Sequence, residues 1–119
     1  MITLRIPELA PSLNSKGGLL RMHWTRRKKL LVKWQYLVME AAAGRKHSGP
    51  CRVTITRHYA STPLDRDNCY AAAKLPLDAL RKCGIIKDDD NQTLMSLSCK
   101  QVKVATRKEQ GTEIIITGP

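Results

Sequence analysis

Ile2, Leu4 and Ile6 alternate with Thr3 and Arg5, the period of a half-buried strand, and Pro7 and Pro11 break it. The stretch from Ser12 to Met22, which holds Asn14, Lys16, Gly17, Gly18 and Arg21, reads as a mobile loop. From about Thr25 to Ala43, apolar residues at Leu30, Trp34, Leu37, Val38 and Ala41 have the spacing of a helix with one buried face, and Gly44 ends it. Cys51, Val53 and Ile55 alternate with Arg52, Thr54 and Thr56, a second strand running towards Tyr59 and a turn around Ser61 to Pro63. Between Asn68 and Cys83, the stripe Cys69, Ala73, Leu77, Leu80 predicts a second helix closed by Gly84. Pro76 falls inside it and lacks a backbone donor, which gives an alternative helix start near Leu75 with Pro76 in the first turn. Leu94 to Ala105 and Thr112 to Thr117 read as two antiparallel strands joined around Gly111. The order β-α-β-α-β-β predicts an α+β domain, a small mixed four-stranded sheet packed with two main helices, as one unit over residues 1–119.

Composition agrees with one folded domain: 119 residues, 42% hydrophobic and 26% charged. Cys51, Cys69, Cys83 and Cys99 form no C-x-x-C pair, and their apolar surroundings mark them as reduced, packed thiols. The start alternates rather than forming an apolar run, and no later run approaches the roughly 18 residues of a membrane span. We therefore expect no signal peptide, no membrane association and a cytoplasmic protein.

Charge changes the picture. The net charge is +11, yet from Asp65 to Asp90 six acids face five bases, a net of −1, leaving +12 for the remainder. Asp65 and Asp67, then Asp88, Asp89 and Asp90, hold most of that acid. Clustered carboxylates repel one another unless a cation sits among them. If Asp65 and Asp67 lie on extended backbone, i and i+2 project to one side and both carboxylates can approach one ion. Such oxygen donors suit magnesium, with manganese as a substitute. The reversal at Gly84 would return Asp89 to the pair, with Asp88 as second choice and Asp90 solvated. An ion there would polarise a phosphate and lower the pKa of an attacking water, two ions about 4 Å apart would also stabilise the leaving oxygen, and Lys74 would add positive charge. The alternatives are structural: Asp67 caps the following helix, the three consecutive aspartates form a solvated turn, and Lys74 is a surface residue.

Asp65-Arg66-Asp67-Asn68, then Lys74, Asp78-Ala79-Leu80 and Gly84-Ile85-Ile86-Lys87-Asp88-Asp89 together resemble the RusA family of Holliday-junction resolvases. Pro11, Ser12 and Asn14 look like that family's early loop. The stretch from Asn68 to Asp78 is longer than the shortest form of the pattern and contains Pro76. The resemblance implies a magnesium-dependent homodimeric endonuclease that nicks four-way DNA junctions symmetrically in recombination and repair. It implies Asp65, Asp67 and Asp89 as metal-binding catalytic carboxylates and Lys74 as a functional lysine. Two incisions related by a two-fold axis require two acidic centres, hence a C2 dimer. The Ile114-Ile115-Ile116 run is a candidate interface because it carries more apolar surface than one sheet face buries.

Arg26, Arg27, Lys28 and Lys29 stand at the start of the first predicted helix, where the helix dipole disfavours cations by roughly 0.3–1 kcal/mol each. DNA phosphates would compensate, and Lys16, Arg21, Lys33 and Arg66 join them as candidate DNA contacts, with Arg45 and Lys46 extending the surface. With few aromatic residues, Trp24 and Tyr70 are the candidate wedges against bases, while Trp34 belongs to the core. His23, His47 and His58 have no ligand spacing, no nucleophile motif occurs, and the absence of a G-x-x-x-x-G-K loop implies no nucleotide cofactor. The expectation is a nuclease for branched DNA. The rivals are a non-catalytic nucleic-acid-binding module and a nuclease for flaps or forks. If about six phosphates are neutralised, log affinity for a four-way junction should fall against log salt with a slope near −5, measured by titration between 50 and 200 mM salt; a flat dependence would remove the polyanion partner.

Overall fold

The computed structural model describes residues 1–11, 23–87, 90 and 92–118. Its elements in chain order are β1 (Ile2–Ile6), α1 (Trp24–Ala42), β2 (Cys51–Tyr59), α2 (Arg66–Ala72), α3 (Lys74–Lys82), β3 (Leu94–Lys103) and β4 (Gly111–Thr117), with a 3-10 turn at Arg107–Glu109. The four strands form one mixed sheet, as the α+β pattern predicts. Alternation sends Ile2, Leu4, Ile6, Val53, Ile55, Ile114 and Ile116 into the core, where they meet Trp34 and Val38 of α1 and Leu75, Leu77 and Leu80 of α3. Among the described residues, no helix is long and apolar enough to cross a membrane.

The second helix is two helices. Pro76 has no N–H to donate to the Ala72 carbonyl and its ring crowds that group, so the helix breaks at Ala73 and Pro76 lies in the first turn of α3. Ala73 keeps right-handed helical angles, and Leu77 donates to its carbonyl at 3.0 Å, so the chain resumes at once. At the far end Gly84 has φ +71°, its N–H bonds to Arg81 O at 3.0 Å, and the N–H of buried Ile85 bonds to Leu80 O at 2.9 Å. This crossed pair satisfies the last carbonyls of α3 and turns the chain sharply.

Strand order departs from the sequence expectation. β3 and β4 are not a hairpin: the order is β1-β4-β2-β3, with β2 between them. β2 pairs in parallel with β3 and antiparallel with β4, and β4 pairs antiparallel with β1. After β3 the chain passes over the end of β2, where Val104 N donates to Tyr59 O at 2.8 Å and Ala60 N donates to Gln110 Oε1 at 2.9 Å. It re-enters as an interior strand at Gly111, where any Cβ would lie 2.6 Å from Ile6 O, a close approach that glycine permits. Because β4 is bonded along both edges and buries Ile114 and Ile116, it offers no free edge, and only Ile115 of the isoleucine run is half-exposed. The reason for proposing that run as a dimer interface is thereby removed.

The four cysteines are free thiols, Cys51 and Cys69 buried and Cys83 and Cys99 half-buried. Burial pushes all four above the ordinary thiol range; desolvation, together with nearby Cys69, takes Cys99 up to about 12.

The entry to the early loop is pinned by Thr112, fully buried on β4, whose hydroxyl donates to Glu8 O at 2.8 Å and accepts from Ala10 N at 3.0 Å. Thr112→Val keeps the shape but leaves the Ala10 amide unsatisfied. It should lower unfolding free energy by about 1–3 kcal/mol, read from the urea midpoint at unchanged m-value.

Candidate active site

Asp65 and Asp67 do not share one extended segment. Asp65 has extended angles, φ −66° and ψ 170°, and is the N-cap of α2, whereas Asp67 is in the first helical turn. The strand-type projection of i and i+2 therefore does not apply. Asp65, not Asp67, is the cap: Oδ1 accepts from Asn68 N at 2.9 Å, and Oδ2 from Asn68 Nδ2 at 3.0 Å. The Asp65 carbonyl takes the Cys69 amide at 2.9 Å and so starts the helical ladder. Both aspartates are exposed, and both carboxylates are favoured by the positive end of the helix. Asp67 makes no hydrogen bond or ion pair among the described residues, and the oxygens of Asp65 each keep a second lone pair. Exposed hard oxygens of this kind fit a magnesium or manganese ion chemically.

Asp88 and Asp89 lie outside the described residues. Their neighbour Asp90 is exposed, and its Oδ1 accepts from Gln92 N at 3.0 Å and Thr93 N at 2.8 Å. The Thr93 amide above all, aided by the Gln92 amide and Lys87, holds its carboxyl below the usual carboxylate range. Its carbonyl takes the Leu94 amide at 2.8 Å, so Asp90 closes the turn that leads into β3. Leu64, just before Asp65, is bonded instead to Gln101 near the end of β3, at 2.8 Å. Leu94 and Gln101 are seven residues apart on that strand, about 23 Å at strand rise. Among the described residues, no three His, Cys, Asp or Glu side chains converge.

Lys74 is exposed at the first residue of α3, two helical turns after Asp67 and roughly 10 Å further along the chain's helical path. It borders an open groove of about 660 Å³ with Tyr70, Ala71, Leu77, Asp78 and Leu97. Tyr70 is 41% exposed there, and Trp24 is 65% exposed at the start of α1, so both candidate wedges are accessible, while Trp34 is core.

The basic residues divide. Arg26, Lys28 and Lys29 are exposed and Arg27 half-exposed on the first turns of α1, whose N-cap is His23, its Nδ1 accepting from Thr25 N at 3.2 Å. Arg66 is exposed at the start of α2. Lys33 is already paired with Glu8 at 2.8 Å. Arg45 does not extend this surface: it bonds the Ala42 and Ala41 carbonyls, both at 2.9 Å, capping the opposite end of a helix about 28 Å long. Lys16 and Arg21 lie outside the described residues. Two polar residues were missed altogether, buried Arg57 and half-buried Gln101. Their signal is a charge at position 57, on the same face as Val53 and Ile55.

No protein-family model matches the chain, and no curated protein matches it.

Cap and charge separate at Asp65. Asn caps as well as Asp, so Asp65→Asn should unfold at a urea midpoint close to wild type, whereas Asp65→Ala should lose about 1 kcal/mol. If the carboxylate also holds metal, both variants should lose divalent-ion binding, measured by manganese titration. Wild-type binding in the Asn variant would leave Asp65 as a cap alone.

Proposed function

We propose that this chain is a metal-dependent endonuclease for branched DNA, a Holliday-junction resolvase acting as a homodimer. The observation that carries the reading is the acidic pair, Asp65 and Asp67, exposed at the head of α2 in a chain of net charge +11 and followed by Lys74 in the resolvase-like pattern. A bound divalent ion would supply Lewis acidity towards the scissile phosphate and its attacking water. The chain supplies the rest. Asp67 offers both carboxylate oxygens, and Asp65 offers its remaining lone pairs while fixing the helix start. Asp89 joins them by resemblance alone. Lys74, about two turns away, is suited to the charge of a phosphate in the groove rather than to the ion itself. Arg66 and the α1 bases Arg26, Arg27, Lys28 and Lys29 would hold flanking phosphates and set register without reading sequence.

A second reading has its own support. Asp65 caps α2 and Asp90 closes the turn before β3, which are structural duties that a non-catalytic DNA-binding module would equally need. Flap and fork nucleases remain rivals on substrate.

The readings part at Asp67, whose side chain has no structural bond among the described residues. Purified protein should place paired, symmetric nicks in a labelled four-way junction with magnesium, and none with EDTA. Asp67→Asn should reduce cutting at least about 100-fold while binding the junction as tightly or more tightly, because one repulsive charge near the phosphates is gone. Tight binding without cutting in magnesium or manganese would establish the binding module, and preferential cutting of flaps would overturn the junction assignment.

A further inference from the structure

Arg57 is 5% exposed, and among the described residues no carboxylate lies within ion-pair distance of it. A buried cation without a counter-ion is a poor stabilising element, so its retained bonds need a reason. Its Nε donates to Ala10 O at 3.0 Å, and NH1 donates to Gln101 Oε1 at 3.1 Å. Arg57 and Gln101 are direct partners across the parallel β2–β3 pair. Gln101 then grips one residue twice: Oε1 accepts from Leu64 N and Nε2 donates to Leu64 O, both at 2.8 Å. An amide side chain here stands in for a neighbouring strand, satisfying both backbone groups of a residue beyond the end of the sheet. Arg57 decides its orientation. With a guanidinium and the Leu64 amide both pointing at one atom, only the amide oxygen fits, which leaves the NH₂ for the Leu64 carbonyl.

We propose that Arg57 and Gln101 are positioning residues that clamp the Leu64–Asp65 turn to the end of β2 and β3, and thereby fix where the carboxylates of Asp65 and Asp67 stand for an incoming metal ion. The metal half of this inference rests on the nuclease reading; the mechanical half does not. Leu64 is the last residue before the N-cap, so rotation about it moves Asp65 and the whole first turn of α2. Arg57 also holds Ala10, itself fixed by Thr112, so one guanidinium ties the entry of the early loop to the acidic turn.

The test uses the full chain with two substitutions. Gln101→Leu removes both grips on Leu64. Gln101→Glu keeps the acceptor for Arg57 and the Leu64 amide, gives Arg57 a counter-ion, and turns the donor facing Leu64 O into a repelling oxygen. A clamp predicts that amide exchange of Asn68 and Cys69, which report the first turn of α2, accelerates about tenfold in both variants, while Ile114 and Ile116, which exchange through global opening, do not accelerate in Gln101→Glu. In Gln101→Glu this should occur at equal or higher urea midpoint, a combination that loss of general stability does not produce. Manganese affinity should fall about tenfold or more in both, with junction affinity in EDTA unchanged in the uncharged Gln101→Leu. Exchange at Asn68 and Cys69 within about twofold of wild type in both variants overturns the clamp, whatever the activity. If exchange accelerates as expected but wild type cuts no DNA with any divalent ion, the clamp stands as the anchor of α2 and the nuclease reading fails. If wild type cuts in an Asp67-dependent way and manganese affinity is unmoved by either substitution, the nuclease reading stands and the positioning role is overturned.

Discussion

The parallel pairing of Cys51–Tyr59 with Leu94–Lys103 is the constraint on which the rest of the domain depends. Antiparallel neighbours can be joined by a tight turn, but two parallel neighbours need a connection that travels back the length of the sheet. Here α2 and α3 are that connection, and their apolar sides supply Ala72, Leu75, Leu77 and Leu80 to the core. The same requirement puts the head of α2 just beyond the carboxyl end of β2, the end at which open sheets with parallel strands form ligand crevices. The exposed carboxylates of Asp65 and Asp67 thus stand where topology leaves room for a partner, and the clamp through Gln101 acts across the very pair of strands that created the crossover.

Local periodicity carried much of this. The stripe through Leu30, Trp34 and Val38 marked α1 to within a residue at each end, and the alternation of Cys51, Val53 and Ile55 marked β2. Pro76 carried its own warning, since a missing donor acts on the nearest turn and needs no tertiary information. What periodicity could not carry was which strand lies beside which. Leu94–Lys103 and Gly111–Thr117 are consecutive strands separated by a short connection, and nothing local to them reveals that β2 already occupies the space between. The acidic motif was legible as residues but not as geometry, because whether a D-x-D is extended or begins a helix is decided by its following amides. Those belong here to Asn68 and Cys69, which bond back to Asp65.

The two longer-range helix starts obey opposite rules. At α2 an aspartate caps and another occupies the first turn, in agreement with the helix dipole. At α1 the first turn has no acid, and four consecutive bases follow Thr25. A sequence that is otherwise locally consistent and breaks a rule at one exposed place points to a use for that place outside folding. In the proposed reading that use is the DNA backbone, and it explains why positive charge is concentrated where it opposes its own helix.

The cysteines have a chemical consequence of a different kind. Nucleophilic and oxidative chemistry at sulfur proceeds through the thiolate, and the burial that pushes the Cys99 thiol up to about 12 keeps that form scarce near neutrality. Cys99 therefore packs more as a small apolar side chain than as a reactive thiol. Burial raises Cys51, Cys69 and Cys83 in the same direction, so the native fold itself holds all four thiols towards the protonated, less reactive form.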